Sequence, residues 1–135
     1  MNVVPNGRSA LTGVKVLVVE NTMPSARLFE VLLANEGCEV QTALGAEAAI
    51  ERLKTFTPRV AIVDLFLPGM SALWLVQQLR AAETTKDAII IATSVASGAH
   101  VPRVALQNGC TAYVRKPIDV HEFPHLVTSL VKGRA

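Results

Sequence analysis

The sequence predicts a doubly wound α/β domain built on five parallel strands. Three observations carry that prediction. The runs Val14–Val19, Val60–Val63 and Ala88–Ala92 are apolar with almost no polar alternation, as expected of strands covered on both faces. Amphipathic stretches with three- and four-residue apolar spacing lie between the strands. The resulting βα rhythm requires a parallel sheet, and right-handed crossovers place helices on both of its faces.

Taken in order, Met1–Thr12 has no periodicity and reads as a flexible lead-in, with the domain at 13–133. The first strand, Val14–Val19, ends in Glu20-Asn21. Pro24 suits the first turn of a helix. In that helix Leu28/Leu32 and Phe29/Leu33 recur at four-residue spacing up to Gly37. Glu39–Ala43 is a shorter, more polar strand that fits a sheet edge. Ala46, Ala49, Ile50 and Leu53 form one helical stripe, closed at Thr57-Pro58. The third strand runs Val60-Ala61-Ile62-Val63 into Asp64, and the chain then breaks on Pro68-Gly69. A helix over about 71–82 is expected to bury Leu73, Val76 and Leu79-Arg80, with Trp74 on its outer face as a candidate partner contact. The fourth strand ends in Thr93-Ser94. Pro102 opens a short helix that stops at Asn108-Gly109. Thr111–Val114 is a fifth strand leading into Arg115-Lys116-Pro117. Asp119 caps a last helix through Leu126, Leu130 and Val131, and Pro124 is expected to distort or delay its first turn.

Composition narrows the function. The 135 residues are 50% hydrophobic and 18% charged, enough for a core without disulfide or metal staples. A net charge of +2 without a Lys/Arg run offers nucleic acid no electrostatic footprint. No stretch has the length of a membrane span, and there is no apolar leader. Cys38 and Cys110 lack metal-ligand spacing and read as two buried free thiols, which suits a reducing cytoplasm. His100, His121 and His125 share no ligand spacing and read as surface residues.

In a doubly wound sheet the ligand site lies beyond the carboxyl ends of the strands, where strand order reverses. This chain brings Glu20-Asn21, Asp64, Thr93-Ser94 and Lys116 to those ends, while the second strand offers only Ala43-Leu44. Oxygen donors beside a carboxylate suit Mg²⁺. A carboxylate that attacks a phosphoryl group needs its repulsion with the donor neutralised, and a metal with a lysine supplies that. The rim therefore suits formation of an aspartyl phosphate with Asp64 as nucleophile. Simpler roles stand beside this one. Asn21 is a good helix cap, Thr93 and Ser94 are turn formers, Lys116 suits a solvated surface, and Tyr113 suits a core.

Four pieces in order, Val16–Glu20, Asp64–Met70, Thr93-Ser94 and Tyr113–Pro117, resemble those of response regulator receiver domains of two-component signalling. The resemblance covers about residue 14 to the end. It implies the flavodoxin-like (βα)5 fold with strand order 2-1-3-4-5, and a signalling module rather than an enzyme, beyond its own phosphoryl transfer and autodephosphorylation. It implies that Asp64 takes phosphate from a histidine kinase or a histidine phosphotransfer protein. Mg²⁺ would be held by Glu20, Asn21, Asp64 and the main-chain carbonyl of Phe66. Thr93 and Tyr113 would act as switch residues, and Lys116, ahead of a cis Lys116-Pro117 bond, would bind the phosphoryl oxygens. The switched face, where two copies could also pair, would be the last two helices and the fifth strand.

The chain departs from the pattern at its acidic pair, where Glu20-Asn21 stands for what are commonly two acids. Losing one charge predicts weaker Mg²⁺ binding. Ala72 and Ser94 replace a frequent Gly and a frequent Ala. The rival function is a pseudo-receiver, with the same fold acting by protein interaction without phosphorylation, and Asn21 favours it. A cofactor enzyme of similar fold is disfavoured, since no Gly-rich loop follows the first strand.

Overall fold

A computed structural model of the chain describes residues 9–67, 71–96 and 98–133. In chain order its elements are β1 (Lys15–Val19), α1 (Met23–Ala34), β2 (Glu39–Ala43), α2 (Ala46–Leu53), β3 (Val60–Asp64), α3 (Ala72–Ala81), β4 (Ile89–Ser94), α4 (His100–Gln107), β5 (Ala112–Arg115) and α5 (Glu122–Gly133). The strands pair in parallel in the order β2-β1-β3-β4-β5, as expected. From β1 the chain steps first to one side and then to the other. The crevice between the carboxyl ends of β1 and β3 is thus the topological switch point.

Alternate strand residues face opposite layers. Val16, Val18, Ile62 and Ile91 meet Phe29 and Leu33 of α1 and Phe123, Val127 and Val131 of α5. The Phe29 and Phe123 rings meet edge-on at 5.1 Å, which clamps α1 to α5. Leu17, Val19, Val63 and Ile90 face the other way, onto Ala46 and Ala49 of α2, Leu75, Val76 and Leu79 of α3, and Ala105 of α4. The strands that carry the rim are thus locked from both sides.

Several expectations shift by a residue or a face. In α1 the Phe29/Leu33 stripe is core, whereas Leu28 is exposed and Leu32 only partly covered. In α3 the buried stripe is Ala72, Leu75, Val76 and Leu79, so Leu73 stands at its margin. Trp74 is half-buried and packs on the core instead of facing outward. The helix α4 begins at His100, two residues before Pro102, and that position still lies in a first turn where a missing N–H breaks no helical bond. The same holds for Pro124, third in α5. Ser9–Thr12, expected within the lead-in, pack on the domain: Leu11 is fully buried and Ser9 Oγ donates to Glu36 at 3.1 Å. Met1–Arg8 and Pro68–Met70 lie outside the described residues. Cys38 and Cys110 are free and buried, and burial pushes both thiols up to about 11, away from reactive thiolate. No helix among the described residues is long and apolar enough to cross a membrane.

Asp119 caps α5 as expected. Its Oδ1 accepts the N–H groups of His121 at 2.9 Å and Glu122 at 3.0 Å. Those bonds, the one from Glu122 first, hold its carboxyl below the ordinary 3.8. A lowered folded value means that the cap's contribution is present above 3.8 and is lost as pH falls through the folded value. Asp119→Ala is therefore expected to lower the melting temperature at pH 7. The gap from the parent should close in acid below pH 3.8, and a gap unchanged there would refute the charged cap.

Candidate functional site

The rim is built by register. Asp64 closes β3 opposite Thr93 of β4, and the two are 3% and 0% exposed. Where β1 ends, Glu20 is held beside β2 by its N–H bond to the Ala43 carbonyl at 3.0 Å, and its side chain is fully buried. Lys116 follows β5, its N–H bonded to the Ser94 carbonyl at 2.8 Å, and the Lys116-Pro117 bond is cis.

These side chains converge. Lys116 Nζ donates to Glu20 Oε1 at 2.7 Å and to Asp64 Oδ2 at 3.2 Å. Thr93 Oγ1 donates to Glu20 Oε2 at 3.3 Å. The Phe66 N–H donates to Asp64 Oδ1 at 2.9 Å, and the Phe66 carbonyl accepts from Asn21 Nδ2 at 3.0 Å. Six of the seven residues singled out in the sequence thus meet in one network. The seventh, Tyr113, stands one step away.

The electrostatics follow from two acids and one cation out of water. Desolvation raises the Glu20 carboxyl above its ordinary 4.5, outweighing the hydrogen bond and charge of Lys116. Burial would lower the Lys116 ammonium, but its bond to Glu20 and the two carboxylates hold it above 10.5. Lys116 therefore stays charged at neutral pH, as a group that stabilises an anion must.

The donor set fits a hard cation, but weakly. Among the described residues no three His, Cys, Asp or Glu side chains are spaced to hold a metal. The oxygens at hand are the Glu20 and Asp64 carboxylates, the Phe66 carbonyl and the Asn21 amide. Asn21 Nδ2 lies 3.0 Å from the Phe66 carbonyl oxygen, so the amide and the carbonyl are close enough to face one hard cation together. As placed, the Asn21 amide turns its nitrogen to that carbonyl, so its N–H competes with a cation for the same oxygen.

The family model described as the response regulator receiver domain matches residues 16–128, most of the chain. The chain belongs to that family. Among curated relatives of this receiver, the phosphate regulon transcriptional regulatory protein PhoB of Rhizobium meliloti is 35% identical over 120 residues, covering 87% of this chain and 52% of the relative. Response regulator PleD of Caulobacter vibrioides is 27% identical over 105 residues, covering 78% of this chain and 23% of PleD. The receiver thus spans about a quarter to a half of those relatives. The chemotaxis response regulator CheY4 of Vibrio cholerae shares the fold, with a TM-score of 0.82 at 21% identity over 88% of this chain and 99% of CheY4.

Two features of this receiver were not foreseen from sequence. The first is the Glu20–Thr93 bond, between residues 73 apart along the chain. The second is a clamp on the loop after β4. Ser94 Oγ accepts the Ala96 N–H at 2.9 Å, and the Tyr113 hydroxyl donates to the Ala96 carbonyl at 3.3 Å. Ser94 was visible as a rim hydroxyl, a turn former and an unusual residue beside Thr93, but not as part of a clamp, and nothing in the sequence pointed to Ala96.

Proposed function

We propose that this receiver accepts a phosphoryl group on Asp64 from the phosphohistidine of a histidine kinase or histidine phosphotransfer protein. The observation that carries the reading is the seat of Asp64: a carboxylate at the switch point with a lysine ammonium 3.2 Å from Oδ2 and a backbone N–H on Oδ1. One carboxylate oxygen forms the new P–O bond as the P–N bond of the donor breaks. The imidazole nitrogen keeps the bonding pair, and the ring leaves neutral by taking a proton from solvent. Lys116 neutralises the phosphoryl oxygens, and the Thr93 hydroxyl can donate to one of them. Asp64, Asn21, Glu20 and the Phe66 carbonyl would hold Mg²⁺, which supplies charge neutralisation when bound.

The phosphorylated site would act on a downstream protein through the face of α4, β5 and α5, which also suits pairing of two copies. We place the module in the cytoplasm and take 13–133 as its core, with Ser9–Thr12 packed on it. The rival reading, a phosphorylation-independent pseudo-receiver, is favoured by Asn21, whose amide already bonds the carbonyl a cation would use.

Incubation with Mg²⁺ and acetyl phosphate, followed by intact-mass spectrometry, separates the two. A phosphate adduct on the parent that is absent from Asp64→Asn supports the phosphoacceptor; no adduct under ample donor and metal leaves the pseudo-receiver. Asn21→Asp is expected to tighten Mg²⁺ binding about tenfold in a calorimetric titration, by adding a charge and removing the competing N–H donor. Unchanged affinity would refute the competition.

A further inference from the structure

Glu20 does more in this geometry than supply a cation ligand. Its carboxylate lies fully buried between β1 and β4, and each of its oxygens is bonded by one of the two groups that the proposed function assigns to the phosphoryl group. Oε1 takes Lys116 at 2.7 Å, closer than the 3.2 Å from Lys116 to Asp64. Oε2 takes the hydroxyl of Thr93 at 3.3 Å, so Thr93 is already turned into the pocket. A glutamate reaches one methylene further than an aspartate would, and that extra length carries an anion from β1 to the side chains of β4 and β5.

The consequence continues outward. Thr93 is followed at once by Ser94, whose Oγ holds the Ala96 N–H, while Tyr113 of β5 holds the Ala96 carbonyl and packs its half-buried ring on the core. Thr93 is thus joined through the chain to a hydrogen-bonded clamp of Ser94, Ala96 and Tyr113, and its own hydroxyl is held by the Glu20 carboxylate at the inner end.

We propose that Glu20 is a resident anion standing in for the phosphoryl group: it holds Thr93, Lys116 and Tyr113 in the engaged arrangement before any phosphorylation. The proposal rests on the reading that Thr93 and Lys116 are the phosphoryl-binding groups. A two-state element shifts only as far as a ligand binds its states differently. If Glu20 already fills both receptors, phosphorylation of Asp64 has little left to shift, and the output face is occupied constitutively.

The test uses the full chain with ¹³C-labelled threonine methyl and tyrosine ring groups. NMR spectra of the parent, Glu20→Gln and Glu20→Ala are recorded with and without Mg²⁺ and acetyl phosphate, with adduct formation followed by mass spectrometry. Gln removes the charge while keeping the shape, and Ala deletes the group outright. Both are needed because a buried amide can retain one of the two hydrogen bonds. The Thr111 methyl, at the opposite end of the sheet, reports that each variant is folded. The expected result is that both substitutions move the Thr93 methyl and Tyr113 ring signals at least twice as far as phosphorylation moves them in the parent. Phosphorylating Glu20→Gln should return them toward the parent positions, which a merely structural role for Glu20 would not do. Signals that stay at the parent positions in both variants overturn the proposal, as does a larger movement on phosphorylating the parent than on substituting Glu20. A missing adduct in every sample defeats the phosphoacceptor reading separately, because the substitution arm still decides whether Glu20 holds the switch.

Discussion

Lys116→Met is expected to destabilise the domain by about 3 kcal/mol at pH 7, within the range for breaking a buried ion pair. The side chain is only 14% exposed and is bonded to both acids of the rim, at 2.7 Å to Glu20 and 3.2 Å to Asp64. Methionine keeps the apolar stem but leaves two carboxylates facing each other without a cation. The fully buried Glu20 then takes a proton more readily, so the loss should shrink as pH is lowered toward its ordinary 4.5. Combining Lys116→Met with Glu20→Gln should recover about half of the loss, since the double variant confines one unpaired carboxylate, that of Asp64, instead of two. Urea denaturation of the four chains measures this cycle. A Lys116→Met variant within about 0.5 kcal/mol of the parent, the usual range for a surface change, would show that the pair is solvated and worth little.

Arg80→Ala should cost a similar amount for a different reason. The Arg80 guanidinium donates to the carbonyls of Gly109 at 2.8 Å, Lys86 at 2.9 Å and Ala88 at 2.6 Å, and to Thr111 Oγ1 at 3.2 Å. It thereby ties the end of α3 to the segment entering β4 and to the turn between α4 and β5. Truncation leaves several backbone acceptors short of a partner, and each such loss costs about 1–3 kcal/mol where water cannot replace it. Some of these carbonyls are reached by solvent, so the expected total is about 3 kcal/mol rather than the sum. Arg80→Lys should recover less than half, because an ammonium lacks the planar fork that reaches several acceptors at once. The readout is the urea midpoint at an unchanged slope. Full recovery by lysine would mean that charge, and not the fork, is what matters there.

Asp64 could be singled out as a rim carboxylate because its surroundings are local. Asp64 ends an apolar run of β-branched residues, and an acid in that place demands a partner. The partners could be named as residue types at strand ends, since the βα rhythm alone brings those ends to one rim. Side-chain direction within helices was less legible. The core stripe of α3 was misplaced at Leu73 and Trp74 because several apolar residues stand side by side there. Only the neighbouring strands and α2 decide which of them turns inward. Arg80 showed its place beside Leu79 but not its use, since backbone carbonyls carry no signature in sequence.

The sequence by itself determined the fold class, the strand order through the family resemblance, and the set of groups on the rim. The fold class and the rim groups follow from periodicity, crossover handedness and the ends of strands, while the order of the strands came with the resemblance. Tertiary structure alone decided how those groups pair. Glu20 lies between Lys116 and Thr93, and the Asn21 amide lies on the Phe66 carbonyl, because parallel register sets β1, β3, β4 and β5 side by side at fixed heights. A hydrogen bond requires a separation within a few tenths of an ångström. Residue type and spacing along a chain do not contain that distance; packing across the sheet does.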